Sequence, residues 1–168
     1  MKLCDDSKLL FAKVKPNAII PSKREEDGGF DVYACFDEEY IVIEPHTTKM
    51  IPTGLASAFT SEWVVLLQER GSTGTKGIAG RCGVIDSGFR SEWFVVVTNT
   101  NETPIIIAKK SFNTDALVDD FIIYPYEKAI CQALVVRVPR MEYQEVSYEE
   151  LLTIESQRGT GSLGSSNK

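Results

Sequence analysis

Short apolar runs rich in β-branched and aromatic residues recur along the chain, separated by Gly, Pro, Asn or acidic clusters. They fall at residues 9–14, 30–35, 40–43, 50–52, 55–59, 63–67, 93–98, 104–108, 121–124 and 130–138. Their lengths and their Val, Ile, Phe, Tyr and Trp content are those of strands on a pleated, half-buried surface. Many close strands with no helical periodicity between them predict an all-β sandwich, jelly roll or barrel. The spacing predicts one helix, over 147–155, with Ser147 as its cap and Glu149 and Glu150 in the first turn, where the helix dipole favours them.

Two runs depart from simple alternation. Val64-Val65-Leu66-Leu67 and Phe94-Val95-Val96-Val97 are apolar at every position. A strand with one wet face alternates, so these are expected either at the centre of the core or in an oligomer interface. The last stretch, 157–168, contains only one large apolar residue, Leu163, among glycines and serines. It cannot bury enough surface to order itself and reads as an arm.

At 168 residues and 18.7 kDa the chain is expected to form one domain. Its formal net charge of −6 lacks the basic footprint of nucleic-acid binding but leaves room for a small phosphate ligand. The single histidine, His46, excludes His-rich zinc sites and H-E-x-x-H chemistry, and its Glu-Pro-His-Thr-Thr setting reads as a surface turn. Cys4, Cys35, Cys82 and Cys131 are far apart and sit in or beside apolar runs, which predicts reduced core thiols. With no secretory apolar region at the N-terminus and no membrane-length run, the expected location is the cytoplasm, with no membrane partner.

Three glycine-bearing segments carry candidate phosphate chemistry. In Glu69-Arg70-Gly71-Ser72-Thr73-Gly74, glycines let backbone N–H groups converge, Ser72 and Thr73 add hydroxyls, and Arg70 adds a planar fork. The alternative is a loop with surface charges. In Gly83-Val84-Ile85-Asp86-Ser87-Gly88-Phe89-Arg90, a hairpin would present Asp86 at its tip beside an aromatic ring, placed to act as a general base. The alternative is an Asp-Ser-Gly turn closed on its own backbone. In the tail, Arg158 heads a run of Gly and Ser that would close over a polyphosphate on binding.

Taken in order, these segments resemble the five motifs of the trimeric, all-β dUTPase (dUTP diphosphatase) family. Gly28-Gly29-Phe30-Asp31-Val32-Tyr33-Ala34 is similar to motif one and Arg70-Gly71-Ser72 to motif two. The Gly83–Arg90 segment is similar to motif three, Ile130-Cys131-Gln132 to motif four, and the run from Arg158 to Ser166 to motif five. The resemblance implies a distorted jelly-roll β-barrel over 1–156, with at most one or two short helices, and a flexible arm over 157–168 that closes on the site. It implies hydrolysis of dUTP to dUMP and pyrophosphate, with Asp86 activating the water. Phe89 takes the place of a Tyr that packs on the deoxyribose. Backbone around Gly80, Gly83, Ile85 and Phe94 would read uracil. Arg70, Gly71 and Ser72 would cradle the phosphates, and Arg158, Leu163, Gly164 and Ser165 would belong to the closing arm. Mg²⁺ would ride on the triphosphate, touched through its waters by Asp31 and Gln132. The site would be shared between the chains of a homotrimer.

The sequence departs from that pattern at several places. Motif two reads Arg-Gly-Ser, Leu163 replaces a stacking Phe, and the motif-four Arg falls on Ala129 or Lys128. Residues 109–120 are extra; they read either as a surface hairpin or as a docking surface for a regulatory protein, and they fit a phage or prophage source. Two rival functions remain. One is dCTP deaminase of the same fold, although Val96 stands where that enzyme needs a Glu. The other is a non-catalytic nucleotide-binding interaction protein.

Overall fold

The apolar runs become strands wherever one face can be buried. The computed structural model describes residues 7–81 and 83–161. Its strands are β1 (Leu10–Lys13), β2 (Gly29–Val32), β3 (Tyr40–Ile43), β4 (Thr48–Pro52), β5 (Leu55–Ala58), β6 (Trp63–Gln68), β7 (Ile78–Gly80), β8 (Gly83–Ile85), β9 (Phe94–Asn99), β10 (Ile105–Ala108), β11 (Ile122–Pro125) and β12 (Cys131–Arg137). Two short helices, α1 (Gly71–Gly74) and α2 (Tyr148–Leu152), complete the set, with a 3₁₀ turn at Asp115–Leu117. Four small sheets, ordered β1-β5, β11-β10-β3, β2-β12-β6-β8 and β4-β9-β7, form a distorted jelly roll. They enclose one core around Trp93, Tyr124, Ile43, Ile51, Leu55, Val65 and Ile105. Among the described residues no helix is long and apolar enough to cross a membrane.

The doubly apolar runs do not have two buried faces within the chain. In β6 and β9, Val65, Leu67, Val95 and Val97 are in the core, while Val64, Leu66 and Val96 are half-buried and Phe94 is exposed. Register places Leu134, Leu66 and Val84 in one row across β12, β6 and β8, beside the pair Val136 and Val64. An apolar row thus lies on the outer face of that sheet.

Residues 109–120, expected as an insertion and read as a surface hairpin, form no hairpin. They belong to the link between β10 and β11, which pair in parallel. Parallel neighbours cannot be joined by a tight turn and need a crossover of about a dozen residues. The segment's length therefore follows from topology.

His46 lies exposed in the β3–β4 turn at φ 55°, with Nε2 3.0 Å from Glu102 Oε1. Cys35 and Cys131 are buried in the core, as expected; Cys4 and Cys82 lie outside the described residues. Helix α2 is capped by Ser147, whose Oγ accepts from the Glu150 N–H at 3.0 Å. Residues 136–160 are exposed throughout, and the chain leaves the barrel after Val138 donates to the Glu62 carbonyl at 2.7 Å.

Gly54 is required where β4 meets β5. Its φ is +66°, and a Cβ there would stand 2.8 Å from Ala18 Cβ and 2.9 Å from Cys35 Sγ. Gly54→Ala is expected to destabilise the fold by about 2–4 kcal/mol, combining left-handed strain with overpacking. Chemical denaturation with an unchanged m-value would check this; a loss under ~0.5 kcal/mol would show that the turn relaxes.

Candidate active site

Asp31 and Gln132 are direct register partners on β2 and β12. Both strands bury their alternate residues, Val32, Cys131 and Ala133, so the two polar side chains share the outer face. Gln132 Oε1 lies over Gly29, where a Cβ would come within 2.9 Å of it. This is the physical reason for glycine at that end of β2. The Gln132 amide nitrogen donates to the Glu69 carbonyl at 3.2 Å.

Glu69 leads into α1, a single helical turn where the sequence predicts a loop. Thr73 makes that turn. Its hydroxyl donates to the Arg70 carbonyl at 2.8 Å and accepts the Arg70 N–H at 3.2 Å. Thr73 is 1% exposed, so its hydroxyl is structural and is not the phosphate donor expected from sequence. Gly71 and Ser72 remain exposed on the turn.

Arg70 is fixed on two sides. Its Nε lies 3.2 Å from Asp31 Oδ1, and its Nη1 donates to the Ala129 carbonyl at 2.9 Å. The same carbonyl accepts the Tyr124 hydroxyl at 2.6 Å. Burial pushes the Tyr124 phenol above its ordinary range, so it stays a donor. At the uncertain motif-four position, then, Ala129 is buried and holds Arg70 through its backbone, while Lys128 is exposed.

These residues line a cleft of about 680 Å³ together with Ser22, Lys23, Arg24, Asp27, Gly28 and Gly29. Three cations and two carboxylates face it, an environment for a polyanion carried with a divalent cation. Sequence reasoning missed Lys23 and Arg24; the only signal was a basic pair just upstream of Gly28-Gly29.

The motif-three residues are elsewhere. Asp86 is exposed at the tip after β8, its carbonyl accepts the Phe89 N–H at 3.0 Å, and its carboxylate has no hydrogen-bond partner among the described residues. The turn reading of Asp-Ser-Gly is thus right for the backbone and leaves the carboxylate available. Arg90 ties the tip down, donating through Nη1 to the carbonyls of Ser87 at 2.6 Å, Phe89 at 3.0 Å and Ser57 at 3.3 Å. Phe89 and Phe94 are 39% and 38% exposed, large rings turned toward solvent. Ile85 is buried opposite Val65, so only its backbone is in play. Gly80 and Gly83 are half-buried, at the end of β7 and the start of β8. The Gly80 N–H donates to Glu69 Oε2 at 2.8 Å, which ties β7 to the residue that leads into α1; the motif-three segment is not a hairpin, since β8 pairs with β6 while β9 pairs with β4 and β7.

Arg158 is exposed on the arm, with Nε donating to the Gly161 carbonyl at 2.9 Å. Leu163, Gly164 and Ser165 lie outside the described residues. One chain therefore assembles motifs one, two and four into a cleft. Asp86, Phe89, Phe94 and Arg158 do not line it.

A family model for dUTPases matches residues 15–111. The deoxyuridine 5'-triphosphate nucleotidohydrolase of Nautilia profundicola is 30% identical over 165 residues, covering 96% of this chain and 99% of that protein. That of Neisseria meningitidis serogroup A is 33% identical over 141 residues, covering 82% and 79%. Among solved structures, Staphylococcus bacteriophage 80alpha dUTPase with dUpNHpp superposes with a TM-score of 0.73 at 21% identity, over 96% of this chain and 99% of that one. A mutant dUTPase from phage phi11 of S. aureus, described with a structural Mg(II) ion, gives 0.66 at 21% identity, over 83% and 96%.

Proposed function

The chain belongs to the dUTPase family, whose members hydrolyse dUTP, and from that membership we propose a site shared between chains, with Asp86 as general base and Mg²⁺ as cofactor. The observation that carries the shared site is the separation of the two halves: both carboxylates of the cleft around Arg70 are paired with arginines, Asp31 with Arg70 and Asp27 with Arg24, and the exposed Asp86 lies outside it. A second copy supplies what the first lacks. The apolar row of Leu66, Leu134 and Val84 on the outer face supports a homotrimer, since such a row is stabilised when a partner covers it.

In this reading Asp86 accepts a proton from water as the water oxygen bonds to the α-phosphorus. The bond from that phosphorus to the bridging oxygen breaks, and pyrophosphate leaves with the electron pair. Arg70, Gly71 and Ser72 hold the phosphates and offset the charge that develops on the leaving group. Phe89 packs on the deoxyribose, and the backbone at Gly80, Gly83, Ile85 and Phe94 reads uracil. The arm from Arg158, with Leu163, Gly164 and Ser165, closes over the bound nucleotide.

The described residues contain no group of three His, Cys, Asp or Glu able to hold a bare metal ion. The donor set of Asp31 carboxylate and Gln132 amide oxygen fits instead a hydrated Mg²⁺ brought by the triphosphate. When bound, Mg²⁺ neutralises phosphate charge. Residues 109–120, a crossover with an exposed 3₁₀ turn, would serve as the docking element for a regulatory protein.

The test is pyrophosphate release with Mg²⁺ from dUTP, dCTP, dTTP and UTP side by side, with the nucleotide product identified. Release from dUTP alone, giving dUMP, is expected. Ammonia from dCTP would identify a deaminase. Binding of dUTP without turnover would make the chain an interaction protein.

A further inference from the structure

The cleft has a wall that no motif assigns, formed by Ser22, Lys23, Arg24 and Asp27. Its two cations are held differently. Lys23 Nζ donates to the carbonyls of Asp27 at 2.7 Å, Arg24 at 3.2 Å and Glu25 at 3.3 Å, and lies 5.7 Å from the Phe30 ring centroid. An ammonium has three donors, so Lys23 is consumed in shaping its own loop. Arg24 binds Asp27 through Nε at 2.9 Å and Nη2 at 2.8 Å, while its side chain is 86% exposed. A guanidinium has five N–H groups, and this pair engages one edge of the fork. The Arg24 pairing holds the Asp27 carboxyl below its usual range, so the guanidinium is oriented by a charged partner at neutral pH.

The cation inventory gives this arrangement a purpose. Arg70 is already shared between Asp31 and the Ala129 carbonyl, and of the two motif-four candidates Ala129 is uncharged and Lys128 does not line the cleft. A nucleoside triphosphate brings several negative charges to a cleft whose third cation, Lys23, is spent. We propose that Arg24 is a phosphate-binding residue of this site: its remaining N–H groups bind the phosphates that leave as pyrophosphate, supplying the cation that Ala129 does not. The inference rests on the dUTP reading above. It places Arg24 on the leaving-group end because Lys23, Arg24, Ser72 and Arg70 share one cleft that contains none of the nucleoside-reading residues.

The experiment compares Arg24→Ala, Arg24→Lys and Asp27→Asn by dUTP kinetics, by inhibition with dUMP, and by calorimetric titration with pyrophosphate and Mg²⁺. Arg24→Ala is expected to raise KM for dUTP and weaken pyrophosphate binding about tenfold, the range of a charge-assisted contact, with dUMP inhibition unchanged. Arg24→Lys should recover part of the loss. Asp27→Asn keeps the Arg24 charge but can accept only one of its two N–H bonds, and should weaken pyrophosphate binding by no more than about threefold, well short of the loss in Arg24→Ala. Wild-type pyrophosphate binding in Arg24→Ala overturns the proposal. Equal losses in Arg24→Ala and Asp27→Asn, extending to dUMP, would also overturn it, because they would show that the pair only shapes the loop. No dUTP turnover by the wild-type protein would sink the underlying reading, and the pyrophosphate titration would still decide Arg24.

Discussion

Asp86→Asn is expected to reduce kcat for dUTP by about 10²–10⁴, the usual contribution of a positioned general base, with little change in dUTP binding. The amide is close to the carboxylate in shape but cannot take a proton from water. The tip should survive the change, because it is held by backbone and not by the Asp86 side chain: the Asp86 carbonyl accepts the Phe89 N–H, and Arg90 ties Ser87, Phe89 and Ser57 together. Since the carboxylate is exposed, the folding stability of the variant should match wild type. Single-turnover hydrolysis together with binding of a non-hydrolysable dUTP analogue separates the two effects. Wild-type turnover in this variant would remove Asp86 from the mechanism.

Arg70→Ala should cost about 10²–10³ in kcat/KM, comparable to removing one preorganised donor at a site of developing charge. The loss reaches further than one contact. Arg70 joins Asp31 on β2 to the backbone at Ala129, so its removal frees two walls of the cleft at once. Stability should fall by no more than about 1 kcal/mol, because the Asp31 pair is partly exposed and screened. Arg70→Lys should recover little activity, because an ammonium lacks the planar fork that meets Asp31 and the Ala129 carbonyl together. Unchanged kcat/KM in Arg70→Ala would mean that the phosphates bind elsewhere.

The sequence made the strands legible because their signal is local. Tyr40–Ile43 was expected to the residue, and the runs that became β1, β5, β6, β9 and β12 shifted only at their ends. Strands β7 and β8 were missed because three residues with a glycine at one end show no periodicity. The α1 turn was read as loop because its sequence, Gly-Ser-Thr-Gly, has poor helix propensity; the Thr73 side chain, bonded to the Arg70 backbone, supplies what propensity does not. Candidate site residues were legible as motifs, whereas their grouping was not. Register brings Asp31 to Gln132, and the fold leaves Asp86 outside the cleft, facts that depend on pairings across most of the chain. Arg24 belongs to no motif and stood out only once the cleft had walls.

The pairing of β2 with β12 also sets an order of birth. Residues 29–32 must wait for residues 131–134, so roughly 100 residues of synthesis separate Asp31 from its partner, about 5–20 s at ordinary elongation rates. Strand β6 shares that delay, since β12 lies between it and β2. During the interval both strands present open edges, the state in which a nascent chain pairs wrongly or recruits a chaperone. A premature stop between residues 87 and 129 would release a chain that carries Asp31, Arg70 and Asp86 yet lacks both the Ala129 carbonyl and Gln132, and so has the early residues of the cleft and no cleft.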